Sequence, residues 1–256
     1  MPLYDRVLYK VSGEVLQGAK GHGIDASARD RIVDDVIAAR DLGVQLALVV
    51  GGGNFLRGAA VADEGGDRVT GDHMGMLAIV MNALALRMAF EARGVDAVVL
   101  SGLAVPAAVE TFTQRGLIEH RDANRIIIFA GGTGNPYFTS DTGAALRAAE
   151  FGAQAIIKGT KVDGVYSADP QRDPDAERYD TLSHTRLLTE GLKIMDAAAV
   201  AMARDNDIDI VVFSIRTHSL AAVLRGEQPF TTIHREMQVD TTEPTPEPLA
   251  ASAAAN

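Results

Sequence analysis

At 256 residues, with 47% hydrophobic and 23% charged side chains, the chain has the makeup of a globular protein with a sizeable core, which excludes pervasive disorder. A formal net charge of −10 argues against a general nucleic-acid or anionic-membrane surface, since both need a basic excess. There is no cysteine, so disulfides, thiolate metal sites and cysteine nucleophiles are excluded, and the six histidines stand singly, without the spacing of a zinc site.

The first ten residues lack a basic segment, apolar run and small-residue cleavage site, so no signal peptide is expected. The apolar stretches further on are broken by glycine or charge before the roughly 20 residues of a membrane span. A cytoplasmic location is the expectation. Arg6 to Ser12 reads as a short strand, and Ser27 to Leu42 as a helix with Ile32, Val33, Val36 and Ile37 on one face, Ser27 as cap and Gly43 as stop. Val44 to Val50 is a buried strand running into Gly51, Gly52 and Gly53. Asp72 to Arg93 is one long helix of roughly 33 Å. Strands are predicted at Val95 to Leu100, Ile126 to Ala130, Ala155 to Ile157 and Ile208 to Phe213, and helices at about Asp141 to Phe151, Met195 to Asn206 and Ser219 to Arg225.

This alternation predicts a mostly parallel sheet covered on both faces, with ligands beyond the carboxyl ends of its strands. Asp169 to Asp180 holds two prolines among charges and is expected to be an exposed loop. The stretch 237–256 is acidic and rich in proline and alanine, and is expected to be a disordered tail outside the fold.

Four stretches carry candidate chemistry. Lys10, in Lys10-Val11-Ser12-Gly13-Glu14, ends the first strand where an ammonium reaches a phosphate, although a lysine there is more often merely solvated. In Gly51-Gly52-Gly53-Asn54-Phe55-Leu56-Arg57-Gly58 the glycines let backbone N–H groups approach an anion, and Arg57 offers a planar two-pronged donor; a tight turn explains one or two of the glycines. The loop Gly131 to Asp141 follows a strand and opens a helix, whose N-terminus favours negative charge, and Asp141 is either part of the site or simply a helix N-cap or first-turn acid. Lys158 to Pro170 ends a strand in a turn-rich loop, where Tyr166 packs either on a base or in the core. No G-x-x-x-x-G-K-[ST] occurs, no G-x-G-x-x-G follows the first strand and no G-x-S-x-G is present, so a P-loop kinase, a dinucleotide dehydrogenase and an α/β-hydrolase are unsupported.

In this order, KVSGE (10–14), GGGNFLRG (51–58), GDHMGMLA (71–78), GTGNPYFTSD (132–141) and TKVDGVYSADP (160–170) resemble the amino acid kinase family and, within it, the bacterial UMP kinases. The resemblance spans roughly Tyr4 to Ile233 and implies an α/β three-layer sandwich of amino acid kinase-like fold. It also implies a domain over 1–236, with a UMP lobe over about 1–150 and an ATP lobe over about 151–236. The implied activity is transfer of a phosphoryl group from MgATP to UMP, with no direct protein ligand to the Mg²⁺ ion. Carried onto matching positions, ATP would contact Lys10, Val11, Ser12, Gly13, Gly53, Arg57, Thr160, Tyr166 and Asp169. UMP would contact Gly52, Asp72, Thr133, Gly134, Asn135, Pro136, Tyr137, Phe138, Thr139 and Ser140. Lys10 and Arg57 would neutralise the transferring group while Asp141 orients the lysine. The resemblance further implies a homohexamer, activation by GTP through Gly18, Ala19, Lys20, Gly21, His22 and Gly23, and inhibition by UTP; His22 stands where the family often has an aromatic. The competing expectations are a family relative with another acceptor, or a nucleotide-binding storage or regulatory protein on the same scaffold.

Overall fold

The computed structural model describes residues 1–235 except 169, 171 and 174, so the expected tail over 237–256 lies outside the described residues. β1 (Arg6–Val11) is followed by a single turn, α1 (Gly13–Leu16), then α2 (Ala26–Arg40) and β2 (Gln45–Val50). The short α3 (Gly58–Asp63) and long α4 (Arg68–Glu91) lead to β3 (Ala97–Ser101), β4 (Glu110–Thr111), α5 (Gln114–Asp122) and β5 (Ile126–Ala130). α6 (Ser140–Phe151) precedes β6 (Ala155–Thr160), after which β7 (Val165–Tyr166) and β8 (Arg178–Tyr179) pair as an antiparallel ribbon. β9 (Thr181–Ser183), α7 (His184–Thr189), α8 (Ala197–Asp205), β10 (Asp209–Ser214), α9 (Leu220–Leu224) and β11 (Thr231–His234) follow, and a 3-10 turn, Gly18–Lys20, lies between α1 and α2.

Nine strands form one sheet in the order β4-β3-β5-β2-β1-β6-β10-β11-β9, parallel throughout except between β10 and β11. Central β1 pairs with β2 on one side and β6 on the other, so a single sheet runs through both expected lobes. Side chains alternate across it. Val7, Tyr9 and Val11 of β1 pack with Ile32 and Val36 of α2, Leu86 and Phe90 of α4, and Leu220 of α9. Leu8, Val49 and Ile156 face the other way, against Ala144 and Ala148 of α6 and Ala199 and Val200 of α8, whose small side chains let the helices lie close to the sheet. Burying each large apolar side chain stabilises the fold by about 1.5–3 kcal/mol, so a slip that inverts both faces is strongly disfavoured. The result is the expected α/β three-layer sandwich.

Several boundaries differ from expectation. Asp25, not Ser27, caps α2: its carboxylate accepts the Ala28 N–H at 3.0 Å, and Ser27 Oγ donates to the same oxygen. α4 starts at Arg68 rather than Asp72 because Asp67 caps it, accepting the Thr70 N–H at 2.7 Å. With a mean hydropathy of 1.4, α4 is long and apolar enough to cross a membrane by composition alone, yet Ala83, Leu86 and Phe90 lie buried in the core. Part of the expected loop 169–180 is strand β8. β6 runs on to Thr160, which puts Lys158 inside the strand.

Candidate active site

The site begins with the period of two. Lys10 follows Leu8 onto the α6 face of β1, Lys158 follows Ile156 onto the same face of β6, and the two lysines are registered partners in adjacent strands. α6 starts above them. Thr139 caps it, its hydroxyl accepting the Asp141 N–H at 3.0 Å, and the Asp141 side chain turns down to the lysines. Lys10 Nζ lies 2.5 Å from Oδ1 as an ion pair off the hydrogen-bonding direction, while Lys158 Nζ donates to Oδ2 at 2.7 Å and also to the Ile194 carbonyl. Lys10 and Lys158 are only 7% and 8% exposed, so neither ammonium is well hydrated. Burial pushes the Asp141 pKa up, but Lys10 and Lys158 more than offset it and hold the carboxyl below its usual value. Burial and the neighbouring Lys10 charge lower the Lys158 pKa, against the pull of Asp141. Two ammonium groups thus share one carboxylate, and the surplus positive charge sits at the strand ends, where an anion is favoured.

The first glycine loop is built by close approach. A Cβ on Gly13 would lie 2.3 Å from the Gly51 carbonyl oxygen, and one on Gly52 would lie 2.7 Å from the Gly75 carbonyl of α4, so glycine is required where backbone packs on backbone. Buried Asn54 and Asn82 exchange amide hydrogen bonds at 2.9 and 2.7 Å, and Asn82 also donates to the Gly51 carbonyl at 2.8 Å. Arg57 pairs with Glu14, which also accepts from Lys161 at 3.1 Å. The Lys161 hydrogen bond, with the Arg57 charge, lowers the Glu14 pKa against a smaller effect of burial.

The second loop is tied at both ends. Asp72 accepts from Arg68 Nε at 3.0 and 2.9 Å and from the Tyr137 N–H at 2.8 Å, with Tyr137 held at a left-handed φ of 71°. Asp196 caps α8 by accepting the Ala199 N–H at 2.8 Å, and also accepts from the hydroxyls of Thr139 and, at 2.9 Å, Thr142.

Two hollows result. One of 420 Å³ is bordered by Gly52, Gly53, Arg57 and Asp72 on one side and by Thr133, Asn135, Phe138, Thr139, Ser140 and Asp141 on the other. The second, of 600 Å³, is bordered by Thr160, Lys161 and Ile215. They share Lys10 and Ser12, and Gly13 borders the first. Val11 is buried in the core and Gly134 packs against the Gly102 carbonyl. Neither hollow is bordered by Pro136, by the exposed ring of Tyr137, or by Tyr166, whose hydroxyl donates to Asp163 at 2.7 Å. Asp169 lies outside the described residues. Of the 18–23 segment, Gly18 borders the second hollow, Ala19, Lys20, Gly21 and His22 are exposed, and Gly23 exchanges backbone and side-chain hydrogen bonds with Asn54 at 2.8 Å.

Lys158, Asp196, Glu14 and the Asn54–Asn82 pair were not among the expected site residues. Alternation would have placed Lys158 beside Lys10 had β6 been extended past Ile157, whereas the other contacts join residues distant in the chain.

The sequence profile of the amino acid kinase family matches residues 5–214. The chain is 57% identical over 227 residues to the uridylate kinase of Brucella anthropi, covering 88% of this chain and 95% of that one. It is 59% identical over 214 residues to the uridylate kinase of Rhizobium meliloti, covering 84% and 89%. Among solved structures, the UMP kinase of Bacillus anthracis superposes with a TM-score of 0.88 at 30% identity, covering 93% of this chain and 98% of that one. The UMP kinase of Ureaplasma parvum gives 0.86 at 32% identity, covering 91% and 99%. The chain therefore belongs to the amino acid kinase family, as its motifs lead one to expect.

Proposed function

We propose that the chain is a UMP kinase, moving the γ-phosphoryl group of ATP to the phosphate of UMP and releasing UDP and ADP. The observation that carries this reading is the meeting of two hollows at one buried lysine, Lys10, a geometry suited to two nucleotides joined through their phosphates. The likeness to the uridylate kinases of Brucella anthropi and Rhizobium meliloti supports the same acceptor.

In this reading UMP occupies the smaller hollow, with Gly52, Asp72 and the 133–140 loop around it. ATP occupies the larger, against Lys10, Ser12, Thr160 and Lys161, with Gly13, Gly53 and Arg57 reached across the junction with the smaller hollow. An oxygen of the UMP phosphate attacks the γ-phosphorus as the bond to the β-bridging oxygen breaks. The acceptor is already ionised near neutrality, so the reaction asks for alignment and charge stabilisation rather than a strong base. Lys10 and Arg57 supply positive charge, and Asp141 holds Lys10 in place. Among the described residues no cluster of three His, Asp or Glu is arranged to hold a metal, and the carboxylates of Asp141 and Glu14 are each held by two cations. A Mg²⁺ ion brought in with ATP would supply charge neutralisation on the donor phosphates, beside that of Lys10 and Arg57.

The reading extends to a cytoplasmic homohexamer activated by GTP and inhibited by UTP. Met74, Leu77, Met81 and Met88 leave an exposed apolar stripe on α4 that suits contact with a second copy. The hydrogen bonds from Gly23 to Asn54 give the 18–23 segment a physical link to the first glycine loop. The test is ADP release coupled to UMP, with CMP and acetylglutamate as rival acceptors, with and without GTP. UMP-dependent turnover is expected; ATP binding with no UDP formed would sink the proposal in favour of a regulatory protein.

A further inference from the structure

Most arginines of this acidic chain are held by a carboxylate, as Arg93 is by Asp34 and Arg125 by Asp96. Arg31 and Arg216 are not: both are exposed, and neither makes an ion pair or side-chain hydrogen bond among the described residues. They come from different elements, α2 and the turn after β10, yet border the same recess of 290 Å³. Its apolar lining includes Ile32 and Ile215, and it joins the 600 Å³ hollow at Val15, Arg31, Ile215 and Arg216. The one carboxylate in the recess, Asp35, is engaged by the Leu220 N–H at 2.7 Å. Thr217, His218 and Ser219 add polar groups along the same edge.

Two guanidinium groups without partners, facing one engaged carboxylate, leave the recess net positive. Their planar donor forks match phosphate oxygens, and the small volume suits a phosphate or diphosphate group rather than a whole nucleotide. We propose that the Arg31–Arg216 recess is a phosphate-binding subsite at the end of the nucleotide groove. The phosphate comes either from a free inorganic anion or from the tail of a nucleotide lying in the adjoining hollow. This goes beyond the transfer step, to which neither arginine is assigned, and rests on the reading of the adjoining hollow, which both arginines also border, as the ATP site.

The probe is inorganic diphosphate, titrated calorimetrically into the full-length protein, alone and with UMP plus a non-hydrolysable ATP analogue present. The same titrations are made on Arg31→Gln, Arg216→Gln and the double variant, whose exposed positions leave core packing unchanged. Loss of a charge-assisted contact is expected to weaken diphosphate binding about tenfold in each single variant, and further in the double. If binding persists beside the nucleotides in the wild type, a free anion is the occupant. If the analogue displaces diphosphate, and the double variant raises the ATP KM about tenfold at unchanged kcat, the occupant is the nucleotide's own tail. Diphosphate affinity and ATP KM both unchanged in the double variant would overturn the proposal. The binding measurement stands whether or not the chain turns over UMP.

Discussion

Lys158 holds one oxygen of Asp141 at 2.7 Å while Lys10 lies 2.5 Å from the other, so a single carboxylate sets the position of both ammonium groups. Replacing Lys10 by alanine removes charge aimed at the transferring group but leaves the Asp141–Lys158 bond. We expect kcat to fall about 10²–10³-fold with UMP binding little changed, as measured by coupled ADP release and equilibrium titration. Asp141→Asn instead leaves two neighbouring buried ammonium groups without a counter-charge, and should lower unfolding free energy by about 3 kcal/mol or more in denaturant titration. Near-normal turnover of Lys10→Ala would remove Lys10 from the transfer step.

Glu14 occupies together Arg57, which borders the smaller hollow, and Lys161, which borders the larger one proposed for ATP. Half-exposed pairs of this kind are worth about 0.2–1 kcal/mol each. Glu14→Gln releases both, and the ATP KM should drop by about three- to tenfold with kcat nearly constant. A raised KM would mean that the carboxylate assists donor binding.

Asp196 does two jobs that substitutions can separate. Asp196→Ala loses the α8 cap and the ties to Thr139 and Thr142, and should cost about 1–3 kcal/mol of stability. Thr142→Val keeps the cap and removes one tie, so it should be milder in thermal melts. A UMP KM raised by Thr142→Val would show that the tie shapes the acceptor loop; an unchanged KM would confine Asp196 to structural support.

Burial raises the Asp35 pKa from 3.8 to about 6, against the smaller opposing pull of the Leu220 and Ala221 amides. Well below pH 3.8 the group is neutral folded and unfolded, and stability is unaffected by it. As pH rises towards 6 the unfolded chain ionises first, so this contribution is lost through that window and stays lost above it. Asp35→Asn avoids the loss while still accepting the Leu220 N–H. Its melting temperature should match the wild type near pH 3 and exceed it near pH 7, by an amount equivalent to roughly 2–3 kcal/mol. A gain that is the same at both pH values would contradict this origin.

Much of the sheet was legible because β1, β2, β5 and β10 are apolar runs with clear stops. β11, with threonines at Thr231 and Thr232 and a histidine at its end, carries too little apolar signal to announce a strand, and its antiparallel pairing with β10 depends on tertiary context. α5 was hidden for a related reason: in QRGLIEHRD charge outweighs apolar content, and burial of Leu117 supplies the packing. At the site, the glycine loops and Lys10 were readable as local patterns. Glu14 between Arg57 and Lys161, and Asp196 under two threonines, were not, because each contact is made between distant parts of the chain and needs the register of the sheet to exist.

The pairing of Lys10 with Lys158 has a further consequence. Displacing β1 by one position would send an ammonium into the apolar layer beneath α2 and α4 and turn Val11 towards the Asp141 side. A misaligned molecule would therefore forfeit its interior along with its chemistry, so an insertion or deletion inside this strand has no route to a folded but inert enzyme.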